Sequence, residues 1–386
     1  MADLIYLDYA ATTPVDARVA EHMQACRQSA FANPSSSHIA GRASRKTVDT
    51  AAEQLAALLN VAPRTLIWTS GATESDNLGI AGAARHRAHR GKHLVTMATE
   101  HKAVTDVFRH LEKQGFEVSW LLPDAHGLLA PDTLAAALRD DTQLVSIMYV
   151  NNETGVMQDI EALGTLCRRH DVLFHVDAAQ AVGKVPIDLQ ALPVDLLSLT
   201  GHKFYGPRGI GALYVADRPG CHVQPLLFGG GQQRRLRPGT LPVDLIAGLG
   251  LAAEIAAASM ADDLEHLAGL RRALWAGLRD VAGLLVNGSV EHGFPGILNV
   301  SIDGIEGESL LLDLEPICVA TGSACNASSQ EPSYVLRALG RSDLLAQSAI
   351  RFSMGRPTTS AEVEYAARRY RDAVARLRRL APDAAA

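Results

Sequence analysis

VLFHVDAAQAVGKVPIDLQALPVDLLSLTGHKFYGPRGIG, residues 172–211, holds the key to the fold. Two short apolar runs, VLFHV and DLLSL, each break off into small and polar residues. Runs apolar on both faces are what strands covered on both sides require. The first ends at Asp177, and the second leads into Thr200, His202 and Lys203. The same unit recurs outward: TLIWTS, HLVTMAT, FEVSWLL and QLVSIMYV precede it, and IGALYVA follows. Amphipathic stretches such as HKAVTDVFRHLEKQG and IEALGTLCRRHD lie between several of them. The alternation predicts an α/β fold with a mainly parallel central sheet carrying helices on both faces. Ligands in such sheets gather at the carboxyl ends of the strands. SGATESDN, NNETG, DAAQ and TGHK all fall there.

Beyond this region residues 251–283 read as a long Ala/Leu-rich helix. GILNVSI, GESLLLDL, PICVAT, the loop GSACNASS, SYVLRALG, SAIRFSM and a closing helix then suggest a smaller α+β unit. At 386 residues the chain has room for both. A net charge of −6 offers no general attraction to nucleic acid or acidic membranes, which favours a small-molecule substrate. Leu245 to Ala258 is apolar but too short to span a bilayer, and it contains Glu254. MADLIYLDYAATTP has neither the basic start nor the apolar run of a signal peptide. The five cysteines form no CxxC pair, so a reducing cytoplasm is expected, with no zinc site and no disulfide framework.

Lys203 stands between a strand and a Gly/Pro-rich turn, where a lysine is unusual unless paired or chemically used. With Thr200 and His202 beside it, it suits a Schiff base to an aldehyde cofactor. Asp177 at a strand end needs a cationic partner, and the ring nitrogen of pyridoxal phosphate is one. At about 2.8 Å and a dielectric near 20 that pair attracts by roughly 6 kcal/mol before desolvation. Asp177 also fits the role of a simple helix cap. SGATESDN reads either as an anion-binding helix start or as a helix capped by Thr73 or Ser75. His101 is either a ring-stacking proton carrier or an ordinary helix-start histidine. Among the thiols, Cys325 sits in a loop of small polar residues, where thiolate is favoured. Cys318 and Cys167 read as inert core thiols, and Cys26 and Cys221 have no helpful neighbours.

Taken in order, YLDYAATTP, SGATESDN, TEHKAV, NNETG, HVDAAQ, TGHKFYGP, RPGTLP, GSAC and IRFSMGR closely resemble the cysteine desulfurases of the NifS/IscS type, from about residue 4 to about residue 380. The resemblance implies the aspartate-aminotransferase-like fold (fold type I) and a homodimer. Residues 12–250 would form a large cofactor-binding domain, and residues 1–11 and 251–386 a small domain carrying the reactive cysteine. Lys203 would carry pyridoxal phosphate, Asp177 would pair with the ring nitrogen, Gln180 would bond the phenolic oxygen and His101 would stack on the ring. Ala72, Thr73, Thr200 and His202 would hold the phosphate, joined by Thr240 across the subunit boundary. Asn152 and Arg351 would bind the substrate carboxylate. Sulfur would pass from L-cysteine to Cys325 as a persulfide, leaving alanine, and then to an acceptor protein.

Thr200 and Asn326 depart from the usual serine, and from the usual Thr or Ser after the cysteine. The sequence stops at Ala386, short of the tail with which housekeeping members dock an iron–sulfur scaffold. FGGGQQRRLRPGTLPV is similar to members that supply DNA phosphorothioation, so iron–sulfur assembly, tRNA thiolation and phosphorothioation all stay open as destinations. A selenocysteine lyase or aminotransferase of the same fold would explain Lys203 and Asp177 but leave Cys325 little to do. A non-catalytic sulfur-relay subunit would have no need of Lys203, Asp177 and His101 together.

Overall fold

The computed structural model describes residues 4–321 and 331–380. Cys325 and Asn326 lie outside the described residues. A short strand, β1 (Ile5–Tyr6), precedes the large sheet. That sheet consists of β2 (Leu66–Thr69), β3 (His93–Met97), β4 (Glu117–Leu121), β5 (Thr142–Ser146), β6 (Leu173–Asp177), β7 (Leu196–Thr200) and β8 (Gly211–Val215). Each of the seven apolar runs in the sequence supplies one of these strands. Their order is β2-β8-β7-β6-β5-β3-β4, and β8 alone runs against its neighbours. Every residue of β3, β5, β6, β7 and β8 is buried, which is why these runs lack polar alternation.

The helices of this half are α1 (Ala17–Ser29), α2 (Ile39–Leu59), α3 (Ala72–His86), α4 (Lys102–Lys113), α5 (Pro131–Ala137) and α6 (Ile160–Arg169). In α4 the buried apolar residues are Val104, Val107, Phe108 and Leu111, three and four apart, so one stripe faces the sheet. In α6 the same spacing recurs at Ile160, Leu163, Gly164 and Cys167. α3 differs, being buried almost all round from Leu78 to Ala84 and packed on β7 and β8. Its small residues permit that approach.

The long helix α7 (Val243–Leu278) begins right after Pro242, eight residues before the sequence pattern suggests. Its length and apolar composition would suffice to cross a membrane, but it packs against α1, α2 and later α11 as a core helix. A second sheet follows, made of β9 (Leu284–Val286), β10 (Ile297–Ile302), β12 (Ala320–Thr321) and β13 (Ile350–Ser353) in the order β12-β13-β10-β9. Between these strands lie α8 (Gly307–Asp313), β11 (Ile317–Cys318), α9 (Tyr334–Ala338) and α10 (Asp343–Gln347), and α11 (Ser360–Leu380) follows β13. β11 pairs in parallel with β1. Leu7 N–H donates to Cys318 O at 2.9 Å and Ser353 N–H to Leu7 O at 2.8 Å, tying the chain's first residues to its last strands.

Candidate active site

A cavity of about 540 Å³ opens at the carboxyl ends of β2, β3, β5, β6 and β7. Its lining includes Ala72, Thr73, His101, Asn152, Asp177, Gln180, Thr200, His202, Lys203 and Arg351, so these residues singled out in the sequence meet in one place. Thr240 does not join them: it is exposed and lies outside this lining. Cys325 lies outside the described residues.

Each side chain arrives by a local device. Lys203 ends a short 3-10 turn, Gly201–Lys203, that continues β7. Its Nζ donates to the carbonyls of Ala10 and Ala11 at 2.6 and 2.7 Å. This acceptor pair comes from the YLDYAATTP motif, whose role spacing alone does not reveal. Behind the turn, Gly211 packs against the backbone: a Cβ there would meet Leu199 O at 2.4 Å and Gly71 Cα at 2.7 Å. α3 begins at Ala72 with Gly71 as its cap, so neither Thr73 nor Ser75 caps it. Glu74 does part of that work, accepting from Ser70 N–H at 2.6 Å while pairing with Arg237 at 2.8 Å. The helix therefore presents its first N–H groups to the cavity beside Thr200 and His202, a donor set suited to an anion. Burial, and then the neighbouring cations, lower the His202 pKa to about 4, which leaves a neutral imidazole.

His101 serves as a helix-start histidine and faces the cavity as well. It caps α4, its Nδ1 accepting from Ala103 N–H at 3.1 Å, and it also lines the cavity. Asp177 likewise accepts from Ala179 N–H at 2.9 Å, but the AAQAVG segment after it is a series of turns rather than a helix.

Three buried carboxyls lie together under the cavity. Burial pushes Asp177 upward, against the Ala179 bond and the charges of His101 and Lys203. Burial, then the charge of Asp177, pushes Asp76 well above the carboxylate range, and both its oxygens lack a partner among the described residues. Glu100 is driven up the same way, with one oxygen accepting from Met148 N–H at 2.8 Å. His175, lowered to about 3 by burial, is held neutral between Ser146 and Ser198 at 2.8 and 2.9 Å. It approaches Asp76 at 3.6 Å, and with the imidazole neutral this contact is not an ion pair. Asp177 lines the cavity and is the member of the cluster on which the charges of His101 and Lys203 act, so a desolvated carboxyl at that place fits a protonated ring nitrogen.

Arg351 spans the far wall, donating from Nη1 to Asn152 O at 2.8 Å and from Nη2 to Asp8 Oδ1 at 2.7 Å. Its Nε is buried with no partner among the described residues. Asp8 and Glu153 are site neighbours that spacing does not single out. Glu153 sits almost wholly buried next to Asn152 and accepts from Ser333 Oγ at 2.5 Å.

The described thiols are all held protonated. Burial raises Cys167 and Cys221 to about 12, and raises Cys26 and Cys318 by less. Cys318 is only half-buried rather than a core thiol, because β11 lies at the margin of the fold, paired with β1 alone.

Comparison with known proteins adds to this geometry. Residues 5–366 match the family described as Aminotransferase class-V. The cysteine desulfurase IscS of Escherichia coli O139:H28 is 53% identical over 381 residues, spanning 98% of this chain and 94% of that protein. The chain belongs to the NifS/IscS family of cysteine desulfurases. It is accordingly a pyridoxal-phosphate-dependent enzyme of fold type I. A solved NifS-like protein superposes with a TM-score of 0.90 at 35% identity, covering 97% of this chain and all (100%) of that one. A structure of SspA in complex with cysteine superposes at 0.82 and 38% identity, covering 92% and 100%.

Proposed function

We propose that this desulfurase takes the sulfur of L-cysteine onto Cys325 as a persulfide and releases alanine, with its cofactor held at Lys203. The reading is carried by one observation: Lys203, Asp177, His101 and the start of α3 share a single cavity at the strand ends, with Arg351 facing them. When bound, pyridoxal phosphate supplies an electron sink that acidifies the substrate Cα–H and renders its sulfur open to attack. Asp177 would hold the ring nitrogen, Gln180 would donate to the phenolic oxygen, and His101 would lie against the ring. The first N–H groups of α3, at Ala72 and Thr73, meet the phosphate with Thr200 and His202. The partner subunit's Thr240 completes that set.

Arg351 and Asn152 orient the substrate carboxylate, Arg351 through planar paired donors. Lys203 Nζ, at the cavity, is the base placed to take the Cα proton. The thiolate of Cys325 then attacks the substrate sulfur. An S–S bond forms, the C–S bond breaks with its electron pair passing to carbon, and a proton completes alanine. The net exchange is cysteine plus thiol to alanine plus persulfide, with no outside oxidant.

A homodimer is part of the proposal. Thr240 is exposed, and so is Phe228 of the adjoining Gly-rich segment, at 85%. The division into residues 12–250 and residues 1–11 with 251–386 is also proposed, supported by β1 pairing with β11. The free thiols among the described residues accord with the cytoplasm. The persulfide is destined for an acceptor protein rather than directly for nucleic acid.

The test is to mix the purified protein with sulfur-labelled cysteine, map the label, and quantify alanine. One label on Cys325 per alanine released is expected. Keto acid in place of alanine, or label on Cys318, would overturn the reading.

A further inference from the structure

Lys184 is a half-buried lysine that the chemistry above leaves unused. It follows Gly183, whose φ of +73° suits glycine, and a methyl group added there would lie 2.7 Å from the Phe204 ring. That tight turn sends the Lys184 side chain back under the cavity. Nζ donates to Gln180 Oε1 at 2.6 Å and lies 5.7 Å from the centroid of the Phe294 ring. No carboxylate among the described residues forms an ion pair with it. Asp263, the acidic residue lining the same small space, is paired with Arg356 at 2.8 Å. The cations Lys203 and Arg351 face Lys184 from the cavity side, and His202 is near enough to feel its charge. Burial, then the charges of Lys203 and Arg351, lower its pKa well below the usual lysine range. A lysine kept in so unfavourable a setting calls for a use.

The use follows from donor and acceptor counting. An amide oxygen only accepts, so with Lys184 Nζ as the donor the Gln180 amide has its oxygen turned toward the lysine. Gln180 Nε2 then donates to Ala10 O at 2.7 Å, the same carbonyl that accepts from Lys203. With Oε1 committed to Lys184 and one Nε2–H to Ala10, the second Nε2–H is the donor left for a ligand in the cavity that Gln180 lines. We propose that Lys184 is a positioning residue that fixes the Gln180 amide with its nitrogen toward the cofactor's phenolic oxygen. This rests on the reading of Lys203 and Gln180 given above.

A hydrogen bond to the phenolic oxygen weakens that oxygen's hold on the proton of the cofactor–Lys203 linkage. Losing the bond therefore raises the pKa at which the linkage loses its proton, by about one unit for a hydrogen bond to a charged acceptor. The test is a pH titration of the visible absorbance of the holoenzyme. Lys184→Met should raise the apparent pKa by about one unit, roughly tenfold in proton affinity. Lys184→Arg, which keeps the donor, should restore most of the wild-type value. In a Gln180→Ala background the same Lys184→Met change should move it by less than a third as much. Equal shifts in both backgrounds, or none in either, overturn the proposal. If Lys184→Met does not fold, Lys184→Leu takes its place with the same expected outcomes. Borohydride reduction of wild type with peptide mapping separates the underlying reading: an adduct away from Lys203 defeats that reading before any Lys184 variant is made.

Discussion

Glu153→Gln isolates a single buried carboxyl. Glu153 follows Asn152 in NNETG and is 6% exposed, with Oε2 bonded to Ser333 Oγ at 2.5 Å. Burial raises its pKa from 4.5 to about 7, although the Ser333 bond and the charges of Arg351 and His101 pull the other way. A folded-state pKa above the unfolded one means that the native protein holds this proton more tightly. The associated stability is fully present below about pH 4.5 and is lost as pH rises through about 7. A rise of about 2.5 units corresponds to roughly 3 kcal/mol in full, of which about 2.5 kcal/mol falls between pH 5 and 8. Glutamine keeps an acceptor for Ser333 but cannot ionise. The stability of wild type relative to Glu153→Gln should therefore drop by about 2.5 kcal/mol from pH 5 to pH 8. For a chain of 386 residues this is about 3 °C in Tm. Paired thermal melts of the two holoenzymes at both pH values measure it. A Tm difference that stays constant across that range would refute the argument, since Glu153 would then be ionised already at pH 5 or still protonated at pH 8.

Cys325→Ser should keep the yellow colour of the cofactor while alanine formation from cysteine falls at least about 100-fold, because a hydroxyl is a far poorer nucleophile toward sulfur; stopped-flow spectra with a product assay read both. Arg351→Lys cannot reproduce the planar reach to both Asn152 O and a carboxylate, and should raise KM for cysteine about tenfold or more in steady-state kinetics. Gly211→Ala drives a methyl into Leu199 O and Gly71, so unfolding by urea should show a loss above about 2 kcal/mol together with weaker cofactor retention. Cys167→Ala should cost about 1–2 kcal/mol of stability by the same assay and leave persulfide formation intact.

The large sheet is legible in the sequence because its strands are buried on both faces, which writes them as nearly unbroken apolar runs from β2 to β8. Polar residues at their carboxyl ends, such as Asp177 and Lys203, stand out against that background. What stays hidden depends on distance along the chain. The Arg351–Asp8 pair spans 343 positions and the Ser333–Glu153 bond spans 180, and no local pattern encodes either. β1 has two residues and β9 three, too short for any periodicity to register. The cap of α3 departs from the expected Thr73 or Ser75 because Gly71 occupies it without a side chain, leaving Glu74 to serve the exposed N–H of Ser70. Lys184 lies inside a motif visible in the sequence, but only the fold turns it toward Gln180.

The union of the chain's two ends also sets a timetable for synthesis. The carbonyls that receive Lys203 belong to Ala10 and Ala11, and Asp8 beside them waits for Arg351. At roughly 5 to 20 residues per second, the ribosome needs on the order of 20 to 70 s to make the intervening 343 positions. For most of that interval the nascent amino terminus has no β11 to pair with, and until its end the wall bearing Arg351 does not exist. The large sheet can assemble as it emerges, but the cavity gains its Arg351 wall only once the last strand has left the exit tunnel. The wall that would meet the substrate carboxylate is therefore a property of the finished polypeptide, and a chain cut short before Arg351 keeps the sheet and Lys203 but lacks that wall.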